Sequence, residues 1–176
     1  MKTIEEIKKI LLLSDLNKFK YSLNEYNIYE HDKFGNDILH YYLINIKEIS
    51  LDFKDIFNEL LNRGIDINSK QPKGQYQRSY LQMTVVFNLK DIFDFLINKG
   101  ANVKSTDANG NSILSDAVYN YFKDQSIYGY YINTLLNKGA DPFQKNNYGV
   151  SAYSLAQNIA NYDVKKYFEN IKEMDC

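Results

Sequence analysis

Tryptophan is absent from this chain of 176 residues, proline and histidine occur twice each, and cysteine occurs once. Each scarcity excludes something. The one cysteine, Cys176, is the last residue, so no internal disulfide can form. No Cys/His cluster has metal-ligand spacing, and no metal or other cofactor is expected. His31 and His40 are too isolated to make a site, and both are expected to be structural or surface residues. Neither a Ser-centred elbow nor a phosphate-binding glycine loop occurs. Asp and Glu are scattered, which gives no support to a paired-carboxylate hydrolase. No apolar run approaches the roughly 18 residues of a membrane span. Ile10 to Leu13 is too short for a signal segment and follows Glu5 and Glu6. A cytoplasmic, non-catalytic protein is the expectation. The net charge of −1 argues against a general polyanion binder, so neither nucleic acid nor membrane is expected as partner.

What is present is an ordinary share of core material. Hydrophobic residues make up 44% and charged residues 24%, which fits one globular domain. Tyrosine reaches 16 and phenylalanine 10.

The chain also repeats itself. Three segments end alike: Leu60-Leu61-Asn62-Arg63-Gly64-Ile65-Asp66, Leu96-Ile97-Asn98-Lys99-Gly100-Ala101-Asn102 and Leu135-Leu136-Asn137-Lys138-Gly139-Ala140-Asp141. A helix closed by glycine in the left-handed conformation accounts for this ending, with Lys or Arg suiting the helix dipole. Before each ending stands a polar turn with its own glycine: Asp32 to Gly35, Gln71 to Gly74, Asp107 to Gly110 and Asn146 to Gly149. The helix starts that follow are predicted at Asp37, Ser79, Ser112 and Ser151. Ser79 with Gln82 has the form of a capping box.

These residues resemble the ankyrin repeat, whose pattern is D-x-x-G-x-T-P-L-H, a helix, a second helix with paired Leu, then G-A-D. The closing glycines lie 36 and 39 residues apart, from the numbers 64, 100 and 139, against about 33 in the family. The surplus falls around Ile44 to Asp52, Gln75 to Arg78 and Tyr121 to Tyr130. No repeat carries the Thr-Pro pair, and only His40 fills the His position. The resemblance implies an all-α ankyrin-type solenoid of four to five helix-turn-helix repeats with atypical caps. Its segments are 1–31, 32–70, 71–106, 107–145 and 146–176. Helices are expected at 3–12 and 15–24, and a closing pair at Ser151 to Ala160 and Asp163 to Lys172, with Lys165, Lys166, Glu169 and Lys172 facing water.

The resemblance also implies a protein-binding function through turn tips and first helices. Carried over position by position, the contact residues are Lys33, Phe34, Asn36, Lys73, Gln75, Tyr76, Phe87, Asn109, Asn111, Tyr119, Tyr121, Asn147 and Tyr148. Ala108, Val150, Ile44, Val86 and Asn120 border them. The aromatics Phe53, Phe57, Phe93, Phe95, Tyr131, Tyr167 and Phe168 are expected in or near the core. Two readings stand for the cluster from Tyr119 to Tyr131: a fold-back onto its own rings, or a sticky ridge. The partner is expected to be another protein, burying about 1,600 Å² in total, with this chain monomeric when free. Small divergent ankyrin proteins of this style resemble bacterial ones, among which immunity against a cognate toxin recurs. An effector or adaptor acting on host or regulatory proteins is the alternative, and an enzyme on a helical scaffold the third class.

Overall fold

The computed structural model describes residues 1–158 and 162–171. The expected positions Ala160, Lys172 and Cys176 lie outside them. Among the described residues the chain is all helical, with isolated bridges at Lys2–Tyr26, Lys70–Ser79 and Thr106–Ser112 and no strand. It divides into two compact units, Met1–Tyr80 and Leu81–Cys176, where the sequence alone reads as one domain.

The first unit begins with α1 (Ile4–Leu13) and α2 (Leu16–Ser22). Thr3 caps α1: its hydroxyl accepts the Glu6 N–H, and the Glu6 carboxylate accepts the Thr3 N–H at 2.8 Å. Asp15 caps α2 by accepting the Lys18 N–H at 2.9 Å. A 3-10 turn, Leu23–Glu25, follows. Then come α3 (Ile38–Ile44), capped by Asp37, and α4 (Phe53–Asn62), capped by Asp52. The surplus expected between them is the loop from Asn45, anchored by buried Ile49.

Helix α5 (Tyr80–Val86) leads into the second unit, followed by α6 (Lys90–Asn98) and α7 (Ile113–Asn120). A 3-10 turn at Tyr121–Lys123 precedes α8 (Gln125–Asn137). Much of the surplus expected around Tyr121 to Tyr130 is therefore helix, because Asp124 accepts the Ile127 N–H at 3.0 Å and starts α8 early. The unit closes with α9 (Ala152–Asn158) and a 3-10 helix, Tyr162–Phe168, where an α-helix from Asp163 was expected. Of its expected wet face, Lys166 and Glu169 are exposed and Lys165 is half-buried.

The three glycine endings share one geometry. Gly64, Gly100 and Gly139 have φ of 103°, 83° and 85°. At the first, the Gly64 N–H reaches the Leu61 carbonyl at 3.0 Å and the Ile65 N–H reaches Leu60 at 3.1 Å. Gly100 and Ala101, then Gly139 and Ala140, repeat the pair on Ile97 and Leu96 and on Leu136 and Leu135. The left-handed residue turns the chain back so that the next side chain (Ile65, Ala101 or Ala140) is buried against its own helix. Then Asp66, Asn102 and Asp141 each accept the N–H two residues on, at 2.9, 2.9 and 2.8 Å. Asn27 does the same for Tyr29 at 3.1 Å, which extends the pattern to the N-terminal segment.

Helices α4, α6 and α8 bury one stripe each: Ile56, Phe57 and Leu60; Ile92, Phe93 and Leu96; Tyr128, Tyr131, Ile132 and Leu135. Phe57 meets Tyr42 and Tyr80 edge to face, and Phe93 meets Tyr131 at 4.6 Å between ring centroids. Phe53, Phe95 and Tyr167 are half-buried, and Phe168 is buried. Gly129, inside α8, lets the Tyr167 ring approach: a Cβ there would lie 2.0 Å from its hydroxyl oxygen. The Tyr42 hydroxyl donates to the Leu51 carbonyl at 2.8 Å, so its buried ring keeps a polar partner.

Helices α3 and α5 have only 7 residues each, too few to be stable without packing. The imidazole of His40 on α3 and the amide of Gln82 on α5 each hold the start of the helix that opens the following pair. His40 Nε2 donates to the Arg78 carbonyl at 3.2 Å. Its Nδ1 lies 2.9 Å from Asp37 Oδ1 but off the line of a hydrogen bond. Gln82 holds the equivalent place in α5 and sends its amide to the Asn111 carbonyl at 3.1 Å and to Asp116 at 2.9 Å. Both acceptors, Arg78 and Asn111, stand immediately before a helix-starting serine. Because Gln performs this task at position 82, His40→Gln should keep more stability than His40→Ala. The alanine variant loses that hydrogen bond, with the Arg78 carbonyl keeping only the Gln71 N–H at 3.2 Å, and leaves a cavity, costing about 2–4 kcal/mol. Urea denaturation of both variants reads the difference; equal losses would assign the whole effect to packing.

Candidate protein-binding surface

Each tight turn hangs on one side-chain oxygen. Asp32 Oδ1 accepts the Phe34 and Asn36 N–H groups at 2.8 and 2.9 Å. Asp107 Oδ1 accepts those of Asn109 and Asn111 at 2.8 and 2.9 Å, and Asn146 Oδ1 those of Tyr148 and Val150, both at 2.9 Å. The short polar side chain satisfies two backbone donors that water would otherwise serve, and so fixes the turn. In the second turn Gln71 takes this place, and its Oε1 accepts the Arg78 N–H at 3.2 Å across the inserted residues.

Within each unit, neighbouring turns touch. In the first, Gln71 Nε2 donates to Asn36 Oδ1 at 2.6 Å. A Cβ placed on Gly35 would lie 2.8 Å from Lys73 Cγ and from the Lys73 carbonyl, so glycine is required by close approach as well as by its φ of 86°. In the second, Asn146 Nδ2 donates to Asn111 Oδ1 at 2.7 Å, and the Asn147 N–H reaches the Asn109 carbonyl at 2.9 Å.

This geometry sorts the expected contact residues. Lys33, Phe34, Lys73, Gln75 and Tyr76 are exposed at turn tips of the first unit. Phe87, Tyr119, Asn147 and Tyr148 are exposed in the second. Asn36 is buried, because its amide and carbonyl oxygen serve Asp32 and Gln71. Asn111 is half-buried for the same reason, between Asp107 and Asn146, and Asn109 is half-buried with its backbone in use. Tyr121 is buried, with the Tyr167 ring edge-on at 5.8 Å, and so leaves the surface. The cluster from Tyr119 to Tyr131 thus divides. Tyr121, Tyr128 and Tyr131 turn inward, and Tyr119, Phe122 and Tyr130 stay exposed. Of the bordering residues Ala108, Val150 and Ile44 are exposed, Val86 is half-buried and Asn120 is buried. Arg78 was not among the expected contacts; its guanidinium lies over the Tyr76 ring at 4.0 Å. Its one sequence signal is that no Asp or Glu occurs between Asp66 and Asp91.

Carboxylates near the turns are spent internally. Asp32 Oδ2 accepts Lys8 Nζ at 2.7 Å and Asn36 Nδ2 at 3.2 Å, with both Lys8 and Asp32 buried. Burial pulls the Asp32 carboxyl upward and is the largest single influence. The hydrogen bonds from Lys8, Asn36 and Phe34 together outweigh it and leave the group below its ordinary value. Lys8 is pulled down by burial, but Asp32 and Glu5 outweigh that and leave it raised. Asp37 is also lowered: burial acts upward, and His40 and the Tyr80 hydroxyl, which donates to Oδ2, act downward more strongly. Burial and then the Asp37 charge push Tyr80 well above its ordinary value.

Among the described residues no group of three His, Cys, Asp or Glu could hold a metal ion, and no helix is long and apolar enough to cross a membrane. A scan against protein-family models gives no match for this chain, and a search of curated proteins gives none either.

The Lys8–Asp32 pair carries a stability prediction. Asp32→Asn turns one oxygen into a donor facing Lys8 Nζ and Asn36 Nδ2, and should cost about 3–5 kcal/mol. Lys8→Met should cost less, since the carboxylate keeps its N–H donors, and the double variant should be milder than the sum. The sign with pH follows from the two shifts. The lowered Asp32 contributes above its ordinary value, and that contribution is lost as pH falls through the lowered one. The raised Lys8 contributes below its ordinary value, and that is lost as pH rises through the raised one. Urea titrations of the three variants across pH should therefore differ from the parent most at neutral pH and converge at the acid end.

Proposed function

We propose that this protein is a non-catalytic protein-binding module, an ankyrin-type helical repeat solenoid. It acts in the cytoplasm as an immunity protein that neutralises a cognate bacterial toxin. The observation that carries the binding role is the set of large apolar side chains left in water on rigidly bonded supports. Phe34 is 62% exposed and Tyr148 77% exposed, each on a turn fixed by a side-chain oxygen. Tyr119 and Phe122 are 59% and 61% exposed at the end of α7 and in the 3-10 turn beyond it. Ile44 occupies in α3 the place of Tyr119 in α7, seven residues past the capping residue, and is exposed too. Tyr and Phe so placed supply large contact area at little entropic cost, which is what interface anchors require. The repeated pairs on Gly64, Gly100 and Gly139, with His40 and Gln82 in one role, support the repeat reading. The toxin as partner rests on analogy with small divergent ankyrin proteins.

Co-expression with the toxin gene beside its own should restore growth, and Phe87→Ala with Tyr119→Ala should abolish that protection. Both residues are exposed, so the thermal melt of the variant should stay within about 0.5 kcal/mol of the parent. Continued killing when both wild-type proteins are fully expressed would sink the immunity role.

A further inference from the structure

We propose that the turn tips of the first unit dock an acidic protein segment. The proposal rests on the protein-binding reading for its class of partner and adds the chemistry of that partner. Four cations gather here: Lys33, Lys70, Lys73 and Arg78. Their proximity follows from the turn packing. A Cβ on Gly35 would lie 2.8 Å from Lys73 Cγ, and one on Gly74 would lie 3.2 Å from the Phe34 carbonyl. Lys70 pairs with Ser79 in an isolated bridge, and the Arg78 N–H is held by Gln71, whose amide binds Asn36.

None of the four forms an ion pair among the described residues. Arg78 Nε also has no hydrogen-bond partner. The two carboxylates of the first turn are unavailable: Asp32 is bound by Lys8 and its own turn, and Asp37 by Tyr80 and His40. No other acidic residue lies between Asp66 and Asp91. In a chain of net charge −1, the turn tips of this unit thus carry four cations that enter no ion pair.

Two exposed rings lie within the patch, and each already carries a cation on one face. Lys33 Nζ is 4.9 Å from the centroid of Phe34, and the Arg78 guanidinium carbon is 4.0 Å from that of Tyr76. A carboxylate needs only the cation, which it meets from outside while apolar neighbours of the segment rest on the ring edges. The small patch and the overall negative charge disfavour an extended phosphate backbone. Complementary charge would hasten encounter and select an acidic partner over a basic one.

The test uses the full chain with a fluorescent peptide rich in Glu and Phe, its Lys and Phe counterpart, and oligouridylate, followed by anisotropy. The acidic peptide should bind, more weakly as salt rises. K33E/K73E should lose about tenfold in affinity, with K33Q/K73Q between it and the parent. K104E/K145E makes the same charge change on exposed residues of the second unit and should leave binding unchanged; melting curves confirm that each variant is folded. Equal binding by K33E/K73E and parent, an equal loss in K104E/K145E, tighter binding of oligouridylate, or no binding of the acidic peptide would each overturn the proposal. Toxin protection separates the two readings. Protection lost by F87A/Y119A but kept by K33E/K73E defeats the patch and leaves the binding role. Acidic-peptide binding at the patch without any protection by the wild type defeats the immunity role alone.

Discussion

A single side-chain oxygen that accepts two backbone N–H groups is the constraint on which the repeating geometry depends. With Asp32, Asp107 or Asn146 in place, the chain reverses within four residues, and the next helix cap falls five residues on, at Asp37, Ser112 or Ser151. The cap fixes the helix start, and at His40 and Gln82 the residue three places after the start points its side chain at the following turn. That is how His40 reaches Arg78 and Gln82 reaches Asn111. Helices of 7 residues are stable only when both ends and one face are tied in this way. The glycine endings return the chain to the same point, so each helix pair begins and ends in backbone fixed by local hydrogen bonds.

The same economy shapes the electrostatics. A carboxylate that holds a turn is taken out of solvent, and its charge is answered from within, by Lys8 for Asp32 and by hydrogen bonds for Asp37. Cations at the turn tips have no such task. Acidic and basic residues are nearly equal in number, 22 against 21, yet their exposure around the first two turns is unequal. Local charge at a surface here depends on which carboxylates the backbone consumes, and net charge does not report it.

Sequence alone carried the glycine positions and the helix starts at Asp37, Ser112 and Ser151, because each depends on residue type at short range. All seven glycines assigned to turns and helix ends have positive φ. What it could not carry was direction at longer range. Asn36 and Phe34 stand two residues apart in one turn, and only the approach of Gln71 buries the first and leaves the second outside. Tyr119 and Tyr121 differ in the same way, since Tyr121 is covered by Tyr167, which is 46 residues on by numbering. The stretch around Tyr121 to Tyr130 is surplus by comparison with a shorter repeat. Asp124 instead adds a first turn to α8, and the added turn is paid for by burying Tyr128.

The widest turn shows how such a scaffold tolerates change. Between Gln71 and Ser79 the chain runs eight residues where the other turns run five from the holding residue to the cap. Gln77 adopts φ of 52°, a left-handed conformation that costs a non-glycine residue about 1–2 kcal/mol. The excursion does not disturb α5, because Gln71 still captures the Arg78 N–H and Lys70 still bridges to Ser79 below it. Strain and added length are therefore confined to Gln75, Tyr76 and Gln77, outside the clasp that sets the helix start. Arg78 belongs to both sides. Its carbonyl receives His40 within the core, and its guanidinium lies on Tyr76 at the surface. A substitution that alters the exposed loop leaves the backbone of Arg78 in place, so the surface can change its chemistry while the helices beneath keep their register.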